Sequence, residues 1–446
     1  MSIARTICLG FIAVIFVGTI LLTLPFTTAD GSWNDPITAL FTATSAVCVT
    51  GLAVVDTGTH FSFWGQLIIL LLIQVGGLGY MTTNTFLLFL IRNKFDFRQK
   101  IAIQESFDRP FLQGSKSLLI SIVATTVIFE LTGFFLLIPL FSEQSNSLWL
   151  AIFHSVSAWN NAGFSLFSNS LTDYKSSLIA NSVIPFLIIF GGLGYQAIFE
   201  IFIWLRQQFD RVILKKSQEV FIFSLNSKIV TQTTIILLIL GTVAFFLTDF
   251  SNGEVFGNLP LKERLLGAWF QSVTTRTAGF NTVDISKMTD AGLFITIAFM
   301  VIGASPSGTG GGLKTTTLRI LINATISTLQ GKTNVIIYKR RVPINLILKA
   351  LGVLCAFFTL LTVVTALIAI TDPKLSFIQI LFEVCSAFAT VGLSTGITGS
   401  LSALGKLIIV VTMYMGRVGI LIVINTIVPE SHPSTIQYPE ENLLVG

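Results

Sequence analysis

The chain has 446 residues, of which 52% are hydrophobic and only 11% charged, and its mean hydropathy is +0.82. Soluble domains carry about 25% charged residues, so the composition excludes a soluble globular protein and implies an integral membrane protein. The net charge of +5 follows the loops between apolar runs, which argues for membrane topology rather than a nucleic-acid surface.

In chain order the apolar runs are 7–26, 67–91, 118–141, 183–205, 229–250, 292–300 continuing past 313, 346–370 and 407–428. Most reach the roughly 20 residues a helix needs to cross a bilayer. We read them as eight spans of an all-α membrane protein. The first run follows Arg5 but no small-residue cleavage site follows it, so it reads as a membrane helix rather than a signal peptide. Segments 92–116, 206–228 and 319–349, with Arg5, hold 18 of the 27 Lys and Arg, against 6 on the opposite side. The positive-inside rule places the first set in the cytoplasm. Eight spans then put both termini in the cytoplasm, in a multi-pass protein of the cell membrane.

Between successive spans lies a repeated short segment: "FTATSAVCVTGL" at 41–52, "FHSVSAWNNAGF" at 153–164, "WFQSVTTRTAGF" at 269–280 and "FEVCSAFATVGL" at 382–393. Aligned on Phe41, Phe153, Trp269 and Phe382, each has glycine ten positions later. These glycines, Gly51, Gly163, Gly279 and Gly392, are 112, 116 and 113 residues apart. Ser45-Ala46, Ser157-Ala158 and Ser386-Ala387 share one offset, where the third copy has Val273-Thr274. A glycine cluster follows each copy: "GGLGY" at 76–80 and 191–195, "GASPSGTGGG" at 303–312 and "GRVG" at 416–419. The unit of span, short segment and span therefore occurs four times. The repeats are 1–92, 93–206, 207–331 with an interrupted second helix, and 332–428. Residues 429–446 form a cytoplasmic tail, in which "YPEEN" at 438–442 is a candidate cytosolic contact.

The short segments begin with about 10 mostly apolar residues, too few to cross a bilayer. They fit re-entrant helices that return as extended chain, which membrane depth tolerates only where the backbone is buried in protein or faces water. Four of them suggest a pseudo-fourfold ring around a central pore. A ring of backbone carbonyls can replace the hydration shell of a monovalent cation, and glycine supplies the unusual dihedrals and close approach. The candidate selectivity filter is Thr50 and Gly51; Asn161, Ala162 and Gly163; Thr277, Ala278 and Gly279; and Thr390, Val391 and Gly392. Any one of these glycines alone reads as a loop glycine at a helix end. Four at matched offsets favour the pore.

The second span of the third repeat is interrupted by "GASPSGTGGGLKTTT" at 303–317. Proline removes a backbone donor and glycine loosens the helix, so Gly303, Ser305, Pro306, Ser307, Gly308, Thr309, Gly310, Gly311 and Gly312 form a candidate gating loop beneath the filter. A plain hinge is the alternative. A phosphate-binding loop is excluded because Leu313 separates Gly312 from Lys314 and no strand precedes it. Arg417 lies inside the last run, where a charge is expensive and faces a cavity or a partner. It reads as a barrier or a latch to the loop, or as a bond between two helices. Lys314 joins it at similar depth or snorkels to the interface. Arg276 reads as a strut behind the filter. Glu130 and Glu383 are membrane acids without an assigned role. Asp56 and Asp284, each five residues past a filter glycine, fit either an acidic vestibule or ordinary loop charge. Cys8, Cys48, Cys355 and Cys385 and the three histidines show no metal-ligand spacing.

Five stretches, "VTGLAVVDTGT", "NNAGFSL", "TTRTAGFNTVD", "FATVGLSTGIT" and "GLKTTT", together resemble the Trk/Ktr/HKT superfamily of cation transporters. The likeness is strongest to the membrane subunits of bacterial Ktr potassium uptake systems and covers nearly the whole chain. It implies four M1–P–M2 repeats and K⁺ at Gly51, Gly163, Gly279 and Gly392. It also implies Na⁺ as a stimulating or coupling ion, a homodimer, and a cytosolic KtrA-type nucleotide-binding ring as partner. Some plant relatives carry serine at the first filter position and favour Na⁺, so Gly51 supports K⁺ by resemblance. Thr390-Val391-Gly392 matches only part of the longer signature of tetrameric K⁺ channels, and Leu393 stands where they have tyrosine. A Na⁺-selective member of the same class is the nearest alternative. A membrane-embedded enzyme would need clustered His, Asp or Cys, and an organic-solute carrier two inverted halves with paired broken helices.

Overall fold

The computed structural model describes residues 3–79, 115–213, 220–250, 252–257, 259–420 and 422–423. Residues 80–114 and the tail at 429–446 lie outside them. Among the described residues four helices are long and apolar enough to cross a membrane, or five if the bent pair Leu178–Leu193 and Tyr195–Val212 is one span: α1 (Ile3–Thr23), α4 (Ser115–Leu137, prolonged by a 3₁₀ turn, Ile138–Phe141), α8 (Leu225–Thr248) and α12 (Ile344–Thr371). Each is followed by a short helix: α2 (Pro36–Val47), α5 (Ser147–Trp159), α9 (Leu261–Thr274) and α13 (Phe377–Phe388). A second apolar helix comes next: α3 (Phe63–Leu78), α6 (Leu178–Leu193), α10 (Asp290–Val301) and α14 (Ala403–Val418).

Local chemistry sets these starts. α2 begins at Pro36 behind Asp35, whose side chain accepts from Thr38 N, and α13 begins on a capping box of Ser376 and Gln379. All four second helices start on a hydroxyl cap, Ser62, Ser177, Thr289 and Ser402, accepting from the N–H three residues on. In the third and fourth repeats the residue that ends the first long helix is an aspartate that holds this cap. Asp249 accepts from Thr289 N at 3.1 Å, and Asp372 accepts from Ser402 N at 2.8 Å.

The second helices are shorter than the apolar runs suggest. They have 16, 16, 12 and 16 residues, and 16 residues rise only about 24 Å. The apolar runs imply continuous helix in three repeats and one interruption, in the third. Instead α3, α6 and α14 all end on a left-handed glycine: Gly79 at φ 81°, Gly194 at φ 88° and Gly419 at φ 94°. After Gly194 the chain turns by 107° into α7 (Tyr195–Val212). The third repeat leaves its helix at Ile302, crosses a loop and resumes as α11 (Thr315–Leu329). Hydropathy hides these breaks because the residues on both sides of each glycine are apolar. A small hairpin, β1 (Ile336–Ile337) and β2 (Arg340–Arg341), precedes α12.

Packing runs in a closed order. Each short helix packs against the first helix of its own quarter and against the second helix of the preceding quarter, and α2, α5 and α13 also pack against the second helix of their own quarter. α5 meets α3, α9 meets α6, α13 meets α10, and α2 meets α14, which brings the end of the chain back to its beginning. Tyr414 on α14 also donates to the Cys8 carbonyl of α1 at 3.1 Å. Glycines permit the close approach. A methyl group on Gly76, Gly191 or Gly416 would strike the carbonyl of Val47, Trp159 or Phe388, near the end of the short helix of the same quarter.

Candidate ion-conducting site

The four short helices end at the axis of this ring, and the chain after each adopts the same unusual conformation. Val49, Asn161, Thr277 and Thr390 are left-handed at φ 55°, 56°, 65° and 53°. Two residues later Gly51, Gly163, Gly279 and Gly392 are left-handed again at φ 90°, 71°, 77° and 89°. The residue between them has no positive φ. Alternation of hand turns successive carbonyls toward one side, which continuous helix or strand does not do. Val, Thr and Thr are β-branched, and a positive φ is a true outlier for them. Such strain persists where surrounding structure over-determines it and clusters at functional sites.

The four glycines stand against one another in cyclic order. A methyl group on Gly51 would lie 2.5 Å from the Ala162 carbonyl oxygen. One on Gly163 would lie 2.8 Å from that of Ala278, and one on Gly279 2.7 Å from that of Val391. One on Gly392 would meet that of Thr50, closing the circle. All four glycines also line a single vestibule of about 610 Å³. The four candidate filter glycines are therefore brought together around one opening. The carbonyls that face the neighbouring glycines belong to Thr50, Ala162, Ala278 and Val391.

Hydroxyls tie these strands to their own helices. Ser45 and Ser386 accept from the N–H of Gly51 and Gly392 at 3.1 and 3.0 Å. Ser157 donates to the Phe164 carbonyl at 2.8 Å, and Thr274 donates to that of Phe280. Thr274 thus occupies the serine place in the third repeat, which corrects the alignment on Trp269. The third copy is one residue shorter between helix and glycine. Ala278 N bonds four residues back to Thr274, whereas Thr50, Ala162 and Val391 bond five residues back. The Ser-Ala offset carried this signal, but the deletion concealed it.

The loop at 303–314 packs against the candidate filter strands. Gly311 N donates to Thr390 Oγ1 at 3.0 Å, and Thr309 Oγ1 to the Trp159 carbonyl at 3.4 Å. Gly310 packs so closely on Thr277 that a methyl group there would lie 2.9 Å from its Cβ. Ser305 N and Thr309 N bond the carbonyls of Gly192 and Gly191 at 2.9 and 3.1 Å. Pro306, Ser307 and Gly308 turn against Gly194, and Gly303 N and Gly312 fold the two ends of the loop together. Three cations bond its carbonyls. Arg276 Nη2 reaches Gly303 at 3.3 Å and Lys314 Nζ reaches Gly310 at 2.8 Å. Arg417 donates through Nη1 to Thr309 and through Nη2 to Gly76 on α3. Lys314 is thus turned into the loop rather than toward the interface, and Arg417 bonds both the loop and a neighbouring helix.

The remaining charges sort simply. Glu130 accepts from Asn160 Nδ2 at 3.1 Å, and the same amide donates to Gln74 Oε1 at 2.9 Å. Glu383 accepts from Ser394 and Thr398. Asp56 caps Gly58 and Thr59, and Asp284 caps Ser286 and lies 4.0 Å from Lys287. These caps are ordinary loop chemistry, although Asp56, Glu254 and Asp284 all line the vestibule. Among the described residues no three His, Cys, Asp or Glu gather as metal ligands.

A helical, multi-pass membrane protein that closes four re-entering segments around one opening has the form of an ion transporter. Residues 6–435 match the TrkH family model, described as a cation transport protein. The chain belongs to this family, so it is a cation transporter and not an enzyme. It is 37% identical, over 99% of its length and 94% of the relative's, to Ktr system potassium uptake protein B of Vibrio alginolyticus. Identity is 36% to the protein of that name from Bacillus subtilis, over 99% of this chain and 96% of that one. It is also 36% to potassium/sodium uptake protein NtpJ of Enterococcus hirae, over 100% and 98%. The crystal structure of the potassium transporter TrkH from Vibrio parahaemolyticus shares the fold. Its TM-score is 0.70 over 94% of this chain and 85% of that one, at 18% identity.

Proposed function

We propose that this chain is the ion-translocating subunit of a K⁺ uptake system. Its eight membrane helices form four M1–P–M2 repeats with pseudo-fourfold symmetry, and K⁺ passes between the carbonyls at Gly51, Gly163, Gly279 and Gly392. The observation that carries this reading is the cyclic contact of each glycine with the carbonyl before the next. Main-chain oxygens in such a ring replace water around a monovalent cation, and no covalent chemistry is involved. The loop at 303–312, held against the filter strands from behind, is the gate. The names of the relatives, potassium uptake and potassium/sodium uptake proteins, support K⁺ as the ion and a Ktr-type assembly; Na⁺ as a stimulating or coupling ion is part of the proposal. In that assembly the chain works as a homodimer on a cytosolic KtrA-type ring, with both termini in the cytoplasm.

Expression in a strain lacking its own K⁺ uptake, with K⁺ and Na⁺ varied, tests the reading. The expected result is restored growth at low K⁺, with K⁺ uptake stimulated by Na⁺. In the same assay Gly51→Ser lowers the preference for K⁺ over Na⁺. A wild-type chain that takes up Na⁺ with no preference for K⁺ would establish the second reading, which the double ion name of the Enterococcus relative keeps open. Unchanged ion preference in Gly51→Ser removes the filter assignment. Deletion within 307–312 is expected to raise flux in the absence of any regulator, and unchanged flux would remove the gate.

A further inference from the structure

The filter ring is fourfold, but the hydrogen bonds that hold its outer mouth are twofold. In the second repeat the residue nine positions before the filter glycine is His154 and the residue two positions after it is Ser165. Their Nε2 and Oγ atoms lie 3.0 Å apart. In the fourth repeat the same two positions are Glu383 and Ser394, with Oε2 and Oγ 2.9 Å apart. Each serine also accepts the backbone N–H two residues further on, from Phe167 at 3.1 Å and from Gly396 at 2.9 Å.

The directions of these bonds follow from chemistry. His154 Nδ1 lies 2.8 Å from the Leu150 carbonyl, which can only accept. Nδ1 therefore carries the proton, and Nε2 accepts from the Ser165 hydroxyl. Glu383 likewise accepts from Ser394, and its other oxygen accepts from Thr398. Each serine thus donates to a buried side chain of its pore helix and accepts from its own strand. The other two repeats are built differently. The first has Thr42 and Ala53, and Ala53 has no hydroxyl to offer. The third, after its one-residue deletion, has Gln271 and Asn281. Gln271 turns to Met288 Sδ at 3.9 Å, and Asn281 Nδ2 to the Val283 carbonyl at 2.9 Å.

We propose that His154–Ser165 and Glu383–Ser394 are paired braces on opposite sides of the pore, and that they set discrimination between K⁺ and Na⁺ by fixing where the filter strands leave the ring. The proposal rests on the four-glycine filter reading. The four side chains are positioning residues that act through the strand. Carbonyls on a strand free to move can close around a smaller ion, whereas a strand held at both ends keeps its spacing. Ser165 and Ser394 are partly exposed to the vestibule, so removing their hydroxyls leaves the packed core intact.

The test is competition uptake in intact cells. It measures the KM for K⁺ and the inhibition constant for Na⁺ in Ser165→Ala, Ser394→Ala and the double variant. The expected result is a loss of K⁺ preference of about threefold to tenfold in each, the scale of one hydrogen bond, with maximal rate little changed. Glu383→Gln, which keeps an acceptor for Ser394, retains more of the preference than Glu383→Leu. An unchanged KM-to-inhibition ratio in both serine variants overturns the proposal, and so does a fall in maximal rate at constant ratio. Gly51→Ser in parallel separates the two levels. If it shifts the ratio while the serine variants do not, the braces fail and the filter stands. If none of them shifts it, the filter reading fails as well.

Discussion

At the scale of single residues, the glycines of the proposed filter are constrained twice, by conformation and by space. Gly392 has φ 89°, and a methyl group on it would collide with the Thr50 carbonyl. An L-residue in left-handed geometry costs about 1–2 kcal/mol, and the collision forces the neighbouring strand outward. Gly392→Ala should therefore damage selectivity more than abundance. The expected outcome is a K⁺ preference over Na⁺ reduced about tenfold, the equivalent of 1.4 kcal/mol, with near-normal amounts in the membrane. Normal ion preference in uptake competition would contradict the ring geometry. Val49, Thr277 and Thr390 show why the glycines alone stood out in the sequence. Glycine advertises freedom at positive φ, whereas a β-branched residue forced there has no sequence signature at all.

At the scale of elements, the hydroxyl cap on each second helix, Ser62, Ser177, Thr289 or Ser402, stands just ahead of its apolar run, so hydropathy alone does not mark it. The glycine clusters were visible as a repeat. Their two uses, close packing on the short helix and a left-handed end to the second helix, required coordinates. The interrupted third repeat was legible because Pro306 and five glycines crowd into ten residues. The cap held by Asp372 makes a prediction here. Burial raises its carboxyl, but the Ser402 backbone N–H and the Thr371 and Ser402 hydroxyls outweigh this and bring it below its usual 3.8. A carboxylate lowered by folding adds stability that is fully present above the unfolded value and is lost as pH falls through the folded value. Asp372→Asn should therefore lower the Tm of detergent-solubilised protein at pH 7. It should also lose less Tm than the wild type on acidification below about pH 4. Parallel Tm curves for the two proteins would show that the cap contributes nothing.

At the scale of the whole molecule, the repeats predict a ring, and Arg417 is what the repeats alone could not explain. It stands on the last helix of the fourth quarter, bonds the Gly76 carbonyl in the first and bonds the Thr309 carbonyl in the third. One side chain thus joins three quarters across the axis. The sequence marked it as an expensive charge inside an apolar run, but its partners are main-chain carbonyls, which no pattern of side chains could announce. Each charge-assisted bond is worth about 1.5–3 kcal/mol, offset by the cost of holding the guanidinium away from water. Breaking the latch should therefore alter the loop more than the fold. Arg417→Gln is expected to raise K⁺ flux about tenfold in cells lacking the proposed cytosolic partner, with a drop in Tm of only a few degrees. Arg417→Lys, a point charge that cannot present the planar fork to two carbonyls at once, should fall between the two. Flux in Arg417→Gln equal to wild type, at equal protein levels, would mean that the loop is closed without Arg417, by its bonds to Thr390, Trp159, Gly191, Gly192 and Arg276.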